Sequence, residues 1–359
     1  MDSRSVVVLR LRNLRLIGAP FSTPTEAIRT LGAVQSQDHG PAKWSVAMRT
    51  RAVSDAAMDR EFADGRFLRT HVLRPTWHFV TPEDIVWMLE LTAPRVHARN
   101  APRYRELGLD KSVRDRSARS IVKALRDDIH LTRKQLQERL ESAGIDTSSQ
   151  RLPYMLTNAE LEGVICSGVP QGKQQTYALL EKRAPRAKDL SGAEALRELT
   201  LRYFTSHGPA TVNDFRWWSS LRAADIRSAL AQLSSELHEE VVDGVSFWWA
   251  PRTLRTEPKS PTVHLLQAYD EYIVGYTESK RLVQPPGPPL PRRATFNSLA
   301  MVDGRVAGYW RRTVRKNSVT FRVVLLDAFD TAQMDALRNE AERHARFLGS
   351  TAELETTSP

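Results

Sequence analysis

The sequence predicts an α+β chain, mainly helical with β-hairpins, in which three tandem winged-helix motifs precede a β-rich segment and a closing helix. Two observations carry this. Apolar residues recur at helical spacing in successive groups, and each set of groups is followed by two short β-prone runs around a turn. Helix, helix, helix, hairpin is the order of a winged helix. The three copies share that order but no residue-level repeat.

The first copy, within 1–112, opens with Val7, Leu11 and Leu14 at helical spacing. Thr23-Pro24-Thr25-Glu26 starts a second helix, with threonine as N-cap, proline at the first helical position and glutamate completing a capping box. After a break at 35–41 come a third helix over 42–50, paired strands over 67–80, and a helix capped at Thr81 with Ile85, Met88 and Leu89 inside. The second copy, 113–190, has Ile121, Val122, Leu125 and Ile129 on its first helix, a capping box at Thr132 and Gln135, and Leu152, Met155 and Leu156 on its third helix. Its wing pairs 164–166 with 177–180 around Gln171-Gly172-Lys173. In the third copy, 191–260, Gly208-Pro209 ends the first helix and Thr211 caps the next. Asp243-Gly244 between two β-prone runs is the strongest short hairpin signal. From 261 to 329 the chain reads as strands and turns, with a hairpin at Asp303-Gly304 and an exposed proline-rich loop at 285–291. A last helix covers 331–349, and the small, polar tail beyond Ser350 is expected to be loose.

A chain of 359 residues has room for two or three domains. Lys+Arg number 52 against 42 Asp+Glu, a net charge of +10, with a sequence pI near 9.9. The excess points to an anionic partner, most often a polyphosphate, or else serves solubility alone. The single cysteine, Cys166, leaves no intrachain disulfide and no cysteine-rich zinc site, and fits a reducing cytoplasm. The short apolar run at 6–9 is broken by Arg10 and Arg12, so no leader peptide is expected, and no stretch of about 18 apolar residues occurs, so no membrane helix is expected. Neither a metal-binding HExxH spacing nor a glycine-rich phosphate loop occurs, so no metal and no nucleotide cofactor is expected.

Four stretches carry a resemblance: Val34-Gln35-Ser36-Gln37-Asp38; Leu73-Arg74-Pro75-Thr76-Trp77-His78-Phe79-Val80; Gly208-Pro209-Ala210-Thr211 with Trp217-Trp218; and Tyr269-Asp270-Glu271-Tyr272-Ile273-Val274-Gly275-Tyr276. In this order and spacing, over about 9–347, the chain resembles the AlkZ-like family of winged-helix DNA glycosylases. The resemblance implies tandem winged helices forming a concave DNA-binding surface, and excision of N7-alkylated purines from double-stranded DNA. In some members it implies unhooking of interstrand crosslinks, as self-resistance to a genotoxic natural product. The family's Gln-Φ-Gln signature falls on Gln35 and Gln37, with Ser36 standing where the pattern has an apolar residue. A cytoplasmic, nucleoid-associated protein without cofactor is expected, and three modules of its own leave it no need to dimerise, so a monomer is expected.

Two glutamines suit that chemistry. An N7-alkylated guanine is already cationic, so its base leaves without added protonation. The enzyme needs to hold a water near the anomeric carbon and stabilise an oxocarbenium-like transition state. Two amides two residues apart in extended chain face the same way, and each offers a donor and an acceptor. Asp38 is a candidate base or electrostatic partner. Without the resemblance, the same residues read as a solvated helix connection. His39, Trp77 and His78 are further pocket candidates, each open to a purely structural role as a cap or core residue. Arg74, Arg292, Arg293, Arg311, Arg312, Arg315 and Lys316 are candidate DNA contacts, or a solvated basic face. Arg95, Arg99 and Arg103 would share a helical face, but Pro94 and Pro102 limit that helix. Asp270 and Glu271, adjacent on an expected strand, point to opposite faces, which favours a structural salt bridge over an acid/base dyad. No lysine is placed as a Schiff-base nucleophile, so a monofunctional enzyme is expected. The competing readings are a non-catalytic DNA-binding regulator or shield, and a drug-sequestering protein.

Overall fold

The computed structural model describes residues 1–126, 130–251, 260–284 and 298–357. Within them the chain is a mixed α+β protein that separates into two compact units. Unit 1 takes Met1–Met58, Thr200–Trp218 and Arg222–Pro359, and unit 2 takes Asp59–Leu199 and Ser219–Leu221.

The N-terminal elements are α1 (Ser3–Asn13), α2 (Pro24–Leu31), the short strand β1 (Val34–Gln35), α3 (His39–Ala47) and α4 (Asp55–Ala63). Thr23 caps α2 through a bond from the Glu26 amide, and Pro24 stands at the first position. The Glu26 carboxylate reaches back one residue further than the expected box, to the Ser22 amide at 2.8 Å. α3 begins at His39, three residues before its expected start, because the break after Gln35 is shorter than the polar run suggested.

Next come β2 (Leu68–His71), β3 (Trp77–Val80) and α5 (Ile85–Glu106). β2 and β3 pair antiparallel, as the aromatic and β-branched run at 67–80 predicts. Phe62, Phe67 and Phe79 pack ring against ring beneath the hairpin. α5 corrects an expectation, since it runs unbroken through Pro94 and Pro102. Each proline deletes one helical hydrogen bond, but Pro94 and Pro102 are exposed while Met88, Leu89, Ala93, Val96 and Tyr104 are buried. Burial of that stripe outweighs the two missing bonds.

Then follow α6 (Lys111–Ala124), β4 (Leu131–Thr132), α7 (Arg133–Ser142), α8 (Arg151–Leu161), β5 (Ile165–Ser167), β6 (Thr176–Leu179) and α9 (Leu180–Arg183). The capping box of Thr132 and Gln135 forms as expected. β6 lies between β4 and β5, with Ile165 opposite Leu179 and Cys166 opposite Ala178. Ile121, Leu125, Leu136, Leu140, Leu152, Met155 and Leu156 fill one core beside that sheet. Ile129 lies outside the described residues.

The chain continues with α10 (Gly192–Ser206), α11 (Val212–Ser219), α12 (Ala223–Gln232), β7 (His238–Val242) and β8 (Val245–Trp249). Asp243 and Gly244 both have positive φ, the turn their sequence demands. The remaining elements are β9 (Val263–Leu266), α13 (Glu271–Val274), a 3-10 turn (Glu278–Val283), β10 (Ser298–Val302), β11 (Arg305–Val314), β12 (Ser318–Leu325), α14 (Thr331–Phe347) and β13 (Thr351–Thr357). The five strands run in the order β13-β12-β11-β10-β9. α14 packs Leu337, Ala341 and Ala345 onto the face formed by Trp310, Val319, Phe321 and Val323. The stretch 261–329 is mostly strands and turns as expected, with the short α13 and the 3-10 turn added, but one expectation fails: the tail is a parallel edge strand pairing with β12 from Thr351 to Thr357. Alternation of Ala352 and Leu354 with polar neighbours let the tail add to the sheet. Gly304 must be glycine: its φ is +79°, and a Cβ would lie 2.5 Å from Val7 and 2.7 Å from the Tyr272 hydroxyl.

Candidate active site

Gln35, Gln37, Asp38 and His39 lie in unit 1, on the connection from β1 into α3. Gly32, with φ of +82°, ends α2 and turns the chain into β1. Gln35 is buried, Ser36 is fully buried, Gln37 and His39 are half-buried, and Asp38 is exposed. Ser36 thus occupies the interior position that the Gln-Φ-Gln pattern gives to an apolar side chain. Asp38 is the N-cap of α3 but makes no side-chain cap bond, so its carboxylate is not committed to the helix end.

The backbone of this connection is held by a residue that sequence reasoning set aside. The Gln35 amide donates to Glu271 Oε1 at 2.6 Å. Glu271 Oε2 accepts the Trp218 indole N–H at 2.8 Å and faces His207 Nε2 at 3.3 Å. Glu271 and His207 are both fully buried. Its neighbour Asp270 binds Arg49 through two bonds of 2.7 and 2.8 Å. Asp270 caps α13 by accepting the Tyr272 amide, so the two acidic residues open a helix and do not sit on a strand. The expected structural salt bridge is Asp270's. Glu271 faces His207 and also holds the Gln35 amide, and the 236-residue separation from Gln35 left no local signal for that second contact.

Beside Asp38 lies a cavity of about 250 Å³, lined by Asp38, Trp44, Gln267, Arg311, Arg312 and His344, among others. His344 stacks on Trp44 with ring centres 4.0 Å apart and planes 8° from parallel. Arg312 Nη1 donates to His344 Nε2, so the imidazole is neutral and carries its proton on Nδ1. Burial first, then the Arg312 and Arg343 guanidiniums, holds His344 well below the ordinary histidine range. Burial likewise lowers Arg312. Trp44 and Trp310 spend their indole N–H groups on Leu265 and Leu266 carbonyls, leaving their rings as walls.

The structure splits the basic candidates. Arg311, Arg315 and Lys316 are exposed on the β11–β12 hairpin, with Arg315 and Lys316 at its tip, while Arg311 and the half-buried Arg312 line the cavity. Arg292 and Arg293 lie outside the described residues. Arg74, Trp77 and His78 belong to unit 2. Arg74 and His78 are buried, with Arg74 Nη2 and His78 Nε2 at 3.5 Å and His78 Nδ1 3.0 Å from the Thr76 carbonyl. Trp77 is half-buried, donates to Glu160 Oε1 at 3.3 Å and lies under the Arg69 guanidinium. On α5, Arg95 and Arg99 are exposed, and Arg103 pairs with Glu106. No described helix is long and apolar enough to cross a membrane.

A family model for AlkZ-like DNA glycosylases matches residues 28–347. A curated relative, an interstrand DNA cross-link repair glycosylase of Streptomyces sahachiroi, is 27% identical over 324 residues, covering 86% of this chain and 87% of the relative. The solved structure of Streptomyces sahachiroi DNA glycosylase AlkZ superposes with a TM-score of 0.80 at 22% identity, with all of both chains covered. That likeness establishes the fold.

Proposed function

The chain belongs to the AlkZ-like DNA glycosylase family, and from that premise we propose that it hydrolyses the N-glycosidic bond of N7-alkylguanine and other bulky, cationic alkylpurines in double-stranded DNA. Where the adduct joins both strands, the same hydrolysis unhooks the crosslink, the activity for which its Streptomyces relative is named. The observation that carries this reading is the anchored Gln35-Ser36-Gln37 connection, in which the hydrogen bond from the Gln35 backbone N–H to buried Glu271 pre-sets the direction of the first glutamine.

Gln35 and Gln37 hold one water between their amides, with carbonyl oxygens toward the developing positive charge. The water oxygen bonds to C1′ while the C1′–N9 electron pair passes to the base and cancels its charge. The water's second proton leaves to Asp38, the exposed carboxylate beside the pair. The product is an abasic site without strand cleavage, as befits a monofunctional enzyme. Arg311, Arg315 and Lys316 approach phosphates from the β11–β12 hairpin, a role supported by their exposure. The order α6, β4, α7, α8, β5, β6 supports reading unit 2's central part as a winged helix, and α10, α11, α12, β7, β8 supports a second. With 1–112 as a third, each module offers DNA a recognition helix and a wing, and the protein works as a monomer on the nucleoid. A bulky or crosslinked base cannot swing out of the duplex, so the site works on a lesion left in the stack.

The deciding experiment is an abasic-site assay on a duplex carrying one N7-methylguanine, with alkali to reveal abasic sites. Wild-type protein is expected to cleave above spontaneous depurination, and Gln35→Ala/Gln37→Ala to bind the duplex without doing so. Binding without excess cleavage across several N7 adducts would leave a DNA-binding regulator or shield as the function.

A further inference from the structure

We infer that Glu271 is a positioning residue of the hydrolytic site, acting through the Gln35 amide, with His207 as the partner that balances its charge. The inference rests on the reading of Gln35 and Gln37 as the pair that orients water.

The donors around Glu271 fix its chemistry. One oxygen takes the Gln35 N–H and the other takes the Trp218 indole N–H. Neither donor can act as an acceptor, so both oxygens must present lone pairs. The second oxygen also faces His207 Nε2. On the far side of the ring, His207 Nδ1 lies 2.8 Å from Ser206 Oγ, and that hydroxyl gives its own proton to the Arg202 carbonyl at 2.7 Å. Nδ1 therefore carries a proton and donates to Ser206. A neutral ring of that tautomer would set a bare Nε2 against a carboxylate oxygen, two lone pairs facing each other. The contact needs a proton between them, and with it the fully buried pair carries no net charge.

The surroundings hold this arrangement in place. The Tyr203 ring stacks on His207 at 4.8 Å, and the Tyr276 hydroxyl donates to the His207 carbonyl. A Cβ on Gly275 would lie 2.8 Å from the His207 ring, so glycine is what lets the ring sit there. Other buried charges of this unit balance separately, Arg49 with Asp270 at 2.7 Å and Arg10 with Asp214 at 3.8 Å. A bond to a carboxylate is roughly twice as strong as one to a neutral acceptor. Spent on the amide of Gln35, it fixes the plane from which that side chain projects, and a displacement of about 1 Å at such a point costs on the order of 100-fold in rate.

The test is a substitution series read by single-turnover cleavage of the N7-methylguanine duplex and by hydrogen exchange at the Gln35 amide. Glu271→Gln keeps the shape but sets its NH2 against either the Gln35 N–H or the Trp218 N–H. Cleavage is expected to fall about 10- to 100-fold with duplex affinity unchanged, and Gln35 exchange to accelerate. Adding Trp218→Phe removes the competing donor, so the amide can accept from Gln35 and donate to a neutral His207. The Glu271→Gln/Trp218→Phe double variant should regain most of the lost rate and protection, a rescue that a merely structural role would not give. Wild-type cleavage by Glu271→Gln, unchanged exchange at Gln35, or a double variant worse than the single would overturn the inference while leaving the glycosylase reading intact. A wild-type protein that cleaves no adduct would instead remove the glycosylase reading beneath it.

Discussion

Removing either member of the Arg49–Asp270 pair should be far more costly than removing both. Arg49 is fully buried and donates to Asp270 twice, to the Ser45 carbonyl at 2.6 Å and to the Leu14 carbonyl at 2.8 Å. Arg49→Met leaves the Asp270 carboxylate alone in the interior, a loss of about 3–5 kcal/mol. Asp270→Asn keeps the acceptor for the Tyr272 amide but strands the guanidinium, with a loss in the same range. In the double variant neither charge remains, and the main cost is the two orphaned carbonyls of Leu14 and Ser45, about 1–3 kcal/mol each. The singles would sum to roughly 6–10 kcal/mol, so at the middle of both ranges a coupling of about 4 kcal/mol is expected. Hydrogen exchange under increasing denaturant, read by mass spectrometry, follows unit 1 peptides apart from unit 2 peptides and gives each free energy. Single-variant losses that add to the double within about 0.5 kcal/mol would refute the claim that the two charges stabilise each other.

The buried histidines make unit 1 sensitive to mild acid. Burial is the leading cause holding His344 and His264 below the unfolded value of about 6.5, so the unfolded chain takes up protons that the native one refuses. Their contribution to stability is complete above about pH 6.5 and falls as the pH drops toward the folded-state values. Denaturation at about pH 7.5 and 5.5 should show that loss in unit 1, and His344→Gln/His264→Gln should flatten it. Arg315→Ala/Lys316→Ala should weaken DNA binding evenly across sequences and make the slope of log affinity against log salt shallower by about 1.8 if both side chains contact phosphate. An unchanged slope would take the hairpin tip out of the interface.

Local signals in the sequence carried most of the fold. Asp243-Gly244 and Asp303-Gly304 each mark a tight turn wherever they occur, and the Thr132–Gln135 box satisfies its own helix end without help from elsewhere. The errors came where distant packing overrules local preference. Pro94 and Pro102 read as helix limits, yet the buried stripe of α5 carries the helix past both. The tail looked loose because its strand exists only against β12. At the site, the Gln35–Gln37 pair was legible through its resemblance to a family pattern, while Glu271 was misread. A strand would put Asp270 and Glu271 on opposite faces. The N-cap turn that Asp270 makes with Tyr272 could only be recognised once Arg49 was known to need the other side of that carboxylate.

That adjacency gives the acidic pair one joint task. Glu271 grips the amide of Gln35, just before α3, and Asp270 grips Arg49, just after it. Two neighbouring buried carboxylates repel, so each needs its own positive partner: Arg49 pairs with one, and the other faces His207, whose inferred proton balances it. A single carboxylate could fix only one end of α3 and leave the helix free to pivot about it. Held at both ends from one rigid turn, α3 and the Gln35–Asp38 connection that leads into it move as one piece with α13. The pair is therefore poorly suited to acid/base catalysis, since transferring a proton to either residue would release one end of the helix on which the glutamines depend.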